Sequence, residues 1–228
     1  MKPKVLIGCP TSKYQEYCLE EYHKAINNLT YGNYSVLLID NSEDDYYLNK
    51  LKNKNINALK GEYFKGAKQR IIESRNLLRK YFLDNNYDYL LSLEQDVIPP
   101  KNVIEKLLSH NKEIVSAVYF NTSQKHKRLI PLLAKSTGLD KLSYLPEKFV
   151  KTSNNLVEVD YCGLGCVLIH KLVLEKVKFR FNSKKPGFDD WWFCKDAKEN
   201  NFKIYADLSI KCKHLIINRP WKWNELKL

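Results

Sequence analysis

No apolar run in the 228-residue chain approaches the roughly 18 residues that a helix needs to cross a bilayer. An α-helical membrane span is therefore not expected. Glycine and proline number only 8 each, which leaves no collagen-like, linker-rich or low-complexity stretch. Gly-x-Gly-x-x-Gly, the Walker lysine loop and the Gly-x-Ser-x-Gly elbow are all missing. Dinucleotide oxidoreductases, P-loop kinases and elbow-type serine hydrolases fall away with them. The apolar stretch behind Met-Lys-Pro-Lys is too short for a signal-peptide core, so a cytoplasmic location is expected. The cysteines at 9, 18, 162, 166, 194 and 212 are then expected to be reduced.

What is present suits a single compact domain. Hydrophobic residues make up 44% of the chain, enough for a sizeable core. Lys and Arg number 38 against 26 Asp and Glu, a net charge of +12 that attracts nucleic acid, anionic lipid or a phosphorylated small molecule.

The pattern along the first half alternates strand and helix. Strands are predicted at 4–9, 34–39, 89–93 and 114–119, and helices at 17–29, 67–84 and 101–110. On the helix at 67–84, Ile71, Arg75, Leu78 and Phe82 share a stripe, which puts an arginine on or beside the buried face. This alternation predicts an α/β sandwich with a mainly parallel central sheet, whose ligands gather at the strand carboxyl ends. Residues 122–152 are polar and basic and read as a long connection with at most short strands. Strand character resumes at 157–170, followed by helices near 171–177 and 190–200 and strands near 203–206 and 210–214.

The chemistry is concentrated at strand ends. Glu94-Gln95-Asp96 places two carboxylates two positions apart at the mouth of an apolar strand, poor for packing and suited to a hard divalent cation that neutralises a diphosphate. A solvated turn capping the next helix is the structural alternative. Trp191 and Trp192 are adjacent at a helix start and cannot share a face, so at least one of them is expected to meet a cleft or solvent, with core packing of both as the alternative. Cys162, Cys166, Cys212 and His214 offer a zinc reading, but two cysteines four residues apart on one extended strand are about 13 Å apart, too far for a tetrahedral site unless Gly163 and Gly165 fold the segment.

Taken in order, these pieces resemble the GT-A glycosyltransferases, family-2-like enzymes in particular, over nearly the whole chain. The matching segments are Val5-Leu6-Ile7-Gly8-Cys9-Pro10-Thr11, Leu37-Leu38-Ile39-Asp40-Asn41-Ser42, Glu73-Ser74-Arg75-Asn76 and Leu93-Glu94-Gln95-Asp96. In the second half they are Val159 to Cys166, Phe188-Asp189-Asp190 and Lys211-Cys212-Lys213-His214.

The resemblance implies a GT-A-like (Rossmann-like) fold, with residues up to about 120 on the donor side, about 121–214 on the acceptor side, and a basic aromatic tail at 215–228. It implies transfer of a sugar from a nucleotide diphosphate sugar to an acceptor hydroxyl, with inversion. It also implies Mn2+ or Mg2+ held by Asp96 and His214. Pro10, Thr11, Asp40, Arg70, Arg75, Glu94 and Gln95 would then serve the donor. Gly163, Gly165, Asp189, Trp191 and Trp192 would serve a glycan, lipid-linked or protein acceptor, with Asp190 as base. The signature here starts with Glu instead of Asp, and Asp189 stands where the family usually has Glu, which puts the role of Glu94 in doubt. Arg75 has a structural alternative, an ion pair to acidic neighbours. For Gly163 and Gly165 the alternative is a β-bulge, and for Asp190 a helix cap.

Two rival functions are weighed against this. A sugar-phosphate nucleotidyltransferase would be expected to carry a glycine-rich loop where Cys9-Pro10-Thr11-Ser12-Lys13 stands. A basic nucleic-acid-binding module would account for the charge but not for acids at strand ends, so no nucleic acid partner is expected. From Lys211 to Leu228 five Lys/Arg face Glu225 alone, for a net +4, interleaved with Ile216, Ile217, Trp221 and Trp223. That composition suits either a peripheral contact with an anionic membrane or a tail packed back over the cleft.

Overall fold

The computed structural model describes residues 2–123, 128–138, 141–182, 184, 187–216 and 219–220. The chain opens with β1 (Val5–Thr11), a 3-10 turn (Lys13–Cys18), α1 (Leu19–Asn27), β2 (Tyr34–Asp40), α2 (Tyr46–Asn53) and β3 (Ala58–Lys60). Next come α3 (Ala67–Asp84), β4 (Tyr89–Leu93), β5 (Val97–Ile98), α4 (Val103–Ser109) and β6 (Ile114–Val118). The middle segment holds β7 (Phe120–Ser123), β8 (Arg128–Pro131), β9 (Leu133–Ser136), β10 (Leu142–Tyr144) and α5 (Glu147–Thr152). The chain continues through β11 (Leu156–Val159), β12 (Tyr161–Cys162), β13 (Cys166–His170), α6 (Lys171–Lys176) and α7 (Asp189–Glu199). It closes with β14 (Ile204–Lys211) and β15 (Lys213–His214).

Eight strands form the central sheet in the order β11-β14-β6-β13-β4-β1-β2-β3. Pairings β14/β6, β4/β1, β1/β2 and β2/β3 are parallel, whereas β13 runs antiparallel to both of its neighbours. Strands from late in the chain are thus interleaved with early ones in one sheet. The continuous apolar runs follow from burial on both faces. In β1 and β2, Leu6, Leu37 and Ile39 enter one core cluster with Leu78 and Phe82 of α3. Val5, Ile7 and Leu38 enter the other, with Tyr22 and Leu51. That split is the two-residue alternation of a strand covered by helices on each side.

Most elements lie within two residues of their expected positions, and α3 and β4 match end to end. The pair α2 and β3 was not expected; the charges in 43–54 hide Tyr47, Leu48 and Leu51, which are buried on one face. The connection at 122–152 contains the short strands foreseen there and also the helix α5. The two late strands are one, β14, with an irregular register between Ala206 and Lys211, and His214 belongs to the separate β15.

Candidate active site

The carboxyl ends of β1, β2 and β4 open into a cleft of about 620 Å³ that runs from Pro10, Thr11 and Asn41 at one end to Tyr144, Tyr161 and Trp191 at the other. At its floor the chain leaves β4 through a tight turn: the Glu94 amide donates to the Gly165 carbonyl at 2.9 Å, and the Val97 amide to the Glu94 carbonyl at 2.9 Å. β5 then pairs antiparallel with β15, setting His214 opposite Val97 and bringing its ring to Asp96. Nε2 of His214 lies 3.5 Å from Oδ2 of Asp96, while Nδ1 donates to the Phe120 carbonyl at 2.8 Å. A carbonyl only accepts, so this bond fixes the proton on Nδ1 and aims Nε2 at the carboxylate. The same Oδ2 accepts from Nη2 of Arg219 at 2.5 Å and from the Tyr17 hydroxyl at 3.3 Å. Burial alone would push the Asp96 carboxyl up, but His214 and Arg219 override it and hold the group below the usual aspartate value.

Arg75 sits 3% exposed beneath the cleft. Its Nε is paired with Asp189, its Nη2 donates to Glu94 at 2.7 Å, and its Nη1 to the Ser92 hydroxyl at 3.2 Å. The arginine therefore ties α3, β4 and α7 together. Burial works against its charge, and Asp189 and Glu94 more than offset that. Glu94 is pushed up to about 7, first by burial and then, against the pull of Arg75, by the Asp96 and Asp189 charges.

Asp190 occupies the first turn of α7, where Phe188 is the capping residue, so Asp190 is not the N-cap. Its Oδ2 accepts from the Tyr161 hydroxyl at 2.6 Å and its Oδ1 from the Trp191 amide at 2.7 Å. Burial, reinforced by the Asp189 charge, pushes its pKa up to about 6 despite those hydrogen bonds. A carboxylate of that basicity in a cleft wall is suited to take a proton from a hydroxyl near neutral pH.

Of three further residues expected on the donor side, Asp40 lies away from the cleft, whereas Gln95 and Arg70 line it. Asp40 is fully buried: Oδ1 accepts from the Ser42 amide at 3.1 Å and the Ser42 hydroxyl at 2.6 Å, and Oδ2 faces Lys60 at 3.3 Å. Asn41 lines the cleft in its place. Gln95 lines the cleft, but its amide is spent on protein partners, receiving a hydrogen bond from Thr11 and donating to Tyr47 at 2.5 Å and to the Gln15 carbonyl at 3.2 Å. Arg70 lines it too, with Nη1 donating to the Phe64 and Lys65 carbonyls at 2.6 and 3.1 Å.

Gly163 and Gly165 make room for a side chain of the protein itself. A Cβ on Gly163 would lie 2.1 Å from the Tyr119 hydroxyl, and one on Gly165 would lie 2.6 Å from the same ring. The Gly165 amide donates to that hydroxyl at 2.8 Å. Of the two tryptophans, Trp191 lines the cleft. Trp192 is 3% exposed, edge-on to Trp191 at 4.6 Å and stacked beneath Arg180 at 4.2 Å. It is a core residue, and the adjacency argument holds only for its neighbour.

All six cysteines are free and buried. Cys194 bonds to the Cys162 backbone at 3.4 Å and Cys166 meets Cys212, so the zinc set is split between two pairs. Among the described residues no group of three or more His, Cys, Asp or Glu is placed to hold a metal. No helix is long and apolar enough to cross a membrane among those residues. At the start of the tail the Leu215 amide donates to the Asp96 carbonyl at 2.8 Å, and Arg219 lines the cleft. Trp221 and Trp223 lie outside the described residues.

Sequence reasoning missed Tyr161, Tyr17 and Arg219 as partners of the carboxylates. Tyr161 lay inside a quoted segment, next to Asp160, and only its contact with α7 marks it out.

No family model matches the sequence, and no curated protein matches it significantly. Solved structures do match. GalNAc-T7 with UDP, GalNAc and Mn2+ superposes with a TM-score of 0.66 at 13% identity, covering 93% of this chain and 44% of that one. The mannosyltransferase PcManGT from Pyrobaculum calidifontis, in complex with GDP-Man and Mn2+, gives 0.62 at 12% identity, covering 97% and 59%. S. aureus TarS 1-349 in complex with UDP-GlcNAc gives 0.55 at 15%, covering 91% and 58%. The chain thus spans about half the length of these three proteins. Its fold is that of the GT-A glycosyltransferases, an α/β architecture around a large central sheet.

Proposed function

We propose that the chain is a metal-dependent glycosyltransferase that moves a sugar from a nucleotide diphosphate sugar to an acceptor hydroxyl with inversion. The observation that carries the reading is the placement of two unlike acidic centres in one cleft: Asp96 with His214 on the floor, and Asp190 with Tyr161 on the wall. Two atoms bonded to one ion at about 2.1 Å lie about 3.0 to 3.5 Å apart, and the 3.5 Å between Oδ2 of Asp96 and Nε2 of His214 fits that span. With one carboxylate and one imidazole, Asp96 and His214 would be the residues to hold Mn2+ or Mg2+. Such an ion supplies Lewis-acid neutralisation of the departing diphosphate.

This chain's own residues do the rest. Pro10, Thr11 and Asn41 border the end of the cleft where the nucleotide would sit, with Arg70 beside it. Arg75 acts as a positioning residue, holding Glu94 and Asp189 in fixed places. Asp190 accepts the acceptor's proton, and its bond from Tyr161 orients it. Tyr144, Tyr161 and Trp191 provide aromatic faces of the kind that pack against sugar rings, which supports a glycan acceptor, free, lipid-linked or protein-borne. The basic tail is compatible with an anionic membrane bearing such an acceptor. GalNAc-T7 and PcManGT were each captured with Mn2+ and a nucleotide or nucleotide sugar, which supports the donor class. The test is incubation with a panel of nucleotide sugars and Mn2+, monitored for nucleotide diphosphate release. No release from any donor across the panel, with glycan acceptors present, would count against the reading.

A further inference from the structure

Oδ2 of Asp96 is shared by a ligand-type nitrogen and a fixed positive charge. His214 faces it at 3.5 Å, and the Arg219 guanidinium sits on it at 2.5 Å. The arginine reaches this point because the chain turns back directly after β15: the Leu215 amide is bonded to the Asp96 carbonyl at 2.8 Å, and the Arg219 amide to the Ile216 carbonyl at 3.3 Å. Tyr17 shares the contact, donating to Oδ2 at 3.3 Å and accepting from Nε of Arg219 at 3.4 Å. The side chains of Asp96, His214 and Arg219 are only 4%, 9% and 13% exposed, so water does little to screen charges at this point. A divalent cation on Oδ2 would lie beside a like charge, with one oxygen serving both.

We propose that Arg219 is a built-in counter-cation for Asp96 that a divalent metal displaces, so that metal loading and loosening of Leu215, Ile216 and Arg219 behind β15 are one event. The inference rests on the cation site proposed above. Without metal, the guanidinium compensates a carboxylate that would otherwise be buried beside Glu94 with too little positive charge. With metal, the ion takes over that compensation and the arginine leaves the oxygen. Arg219 also lines the cleft, so its departure changes the wall that a diphosphate meets. The apparent metal affinity is then the intrinsic affinity reduced by the cost of expelling the arginine.

The test uses metal-stripped full-length protein without nucleotide. Mn2+ binding is followed by the EPR signal of the free ion, and exchange of the Leu215, Ile216 and Arg219 backbone amides by mass spectrometry with and without Mg2+. Arg219→Ala and Arg219→Gln should each bind Mn2+ about tenfold or more tightly than wild type, the size expected for losing a competing charge-assisted hydrogen bond. Arg219→Lys should fall between. Mg2+ should speed exchange at these three amides in wild type and not in Asp96→Asn, and melting curves check that each variant folds. Equal Mn2+ affinity in wild type and both neutral variants overturns the proposal, as does unchanged exchange on Mg2+ addition. Nucleotide diphosphate binding that survives EDTA and is lost in Arg219→Ala also overturns it, since the arginine would then be the permanent counter-charge. If no variant binds Mn2+, the cation site and the exchange both fail, while nucleotide-sugar cleavage reports separately on the transferase reading.

Discussion

The Tyr161 hydroxyl donates a 2.6 Å hydrogen bond to Oδ2 of Asp190, joining β12 to the first turn of α7 across the wall of the cleft. The bond steadies the charged carboxylate, yet burial and the neighbouring Asp189 outweigh it and leave the group with a pKa of about 6. A base must be deprotonated to act, so the transfer rate should rise with pH through about 6 and then level off. Asp190→Asn should lower kcat by about 10²- to 10⁴-fold with donor KM near wild type. Steady-state rates against pH check both, and a retained anomeric configuration by NMR would remove the need for this base.

Asp96→Ala should abolish metal-dependent binding of UDP or GDP; it also leaves the buried Arg219 and His214 without their carboxylate, so the protein should still fold but melt at a lower temperature than wild type. His214→Ala should weaken Mn2+ more than Mg2+, since imidazole favours the softer ion. Calorimetry with each nucleotide and each metal decides the matter; equal affinity in wild type and Asp96→Ala would sink the cation site.

Arg75 compensates two acids at once, Asp189 and Glu94. Arg75→Met would strand the buried Asp189, while Glu94, with 36% of its side chain exposed, can turn to water, and the expected loss is about 3 kcal/mol of unfolding free energy in urea. A loss under about 1 kcal/mol would mean that the acids find other compensation.

The two raised carboxyls also set how stability varies with pH. Glu94 moves up to about 7 and Asp190 up to about 6, both above their unfolded values, so the folded state binds more protons than the unfolded one in that window. Stability of the metal-free protein should therefore fall as pH rises from about 4.5 to 7. In the Glu94→Gln, Asp190→Asn double variant the fall should be smaller. Urea titrations at half-unit pH steps give the slope, and an identical slope in the two proteins refutes the assignment.

The tryptophans and the glycines separate packing from function. Trp192→Ala should cost about 3 to 5 kcal/mol, as for other buried aromatics, whereas Trp191→Ala should raise acceptor KM with little loss of stability. Gly163→Ala drives a methyl into the Tyr119 hydroxyl, so Tyr119→Phe should recover part of the loss in the double variant. Additive losses in that cycle would show that the two side chains do not meet.

The strands and the long helix were legible because burial on both faces of a sheet imposes unbroken apolar runs, and β4 and α3 carry them with clear ends. The position of Glu94-Gln95-Asp96 at a strand mouth followed from the same local pattern. That chain-local information could not say which acids meet which bases. Arg75 finds Asp189 across 114 positions, and Arg219 finds Asp96 across 123. Asp40 shows the reverse: it was expected at the cleft but turns onto Ser42 and Lys60, because a fully buried carboxylate must satisfy both its oxygens. Local sequence determined element type, order and the acidic turn, since these depend on neighbours a few residues apart. The pairing of charges, the face each tryptophan takes and the crowding of Gly163 by Tyr119 were decided only by tertiary structure, since they depend on contacts between segments far apart in the chain.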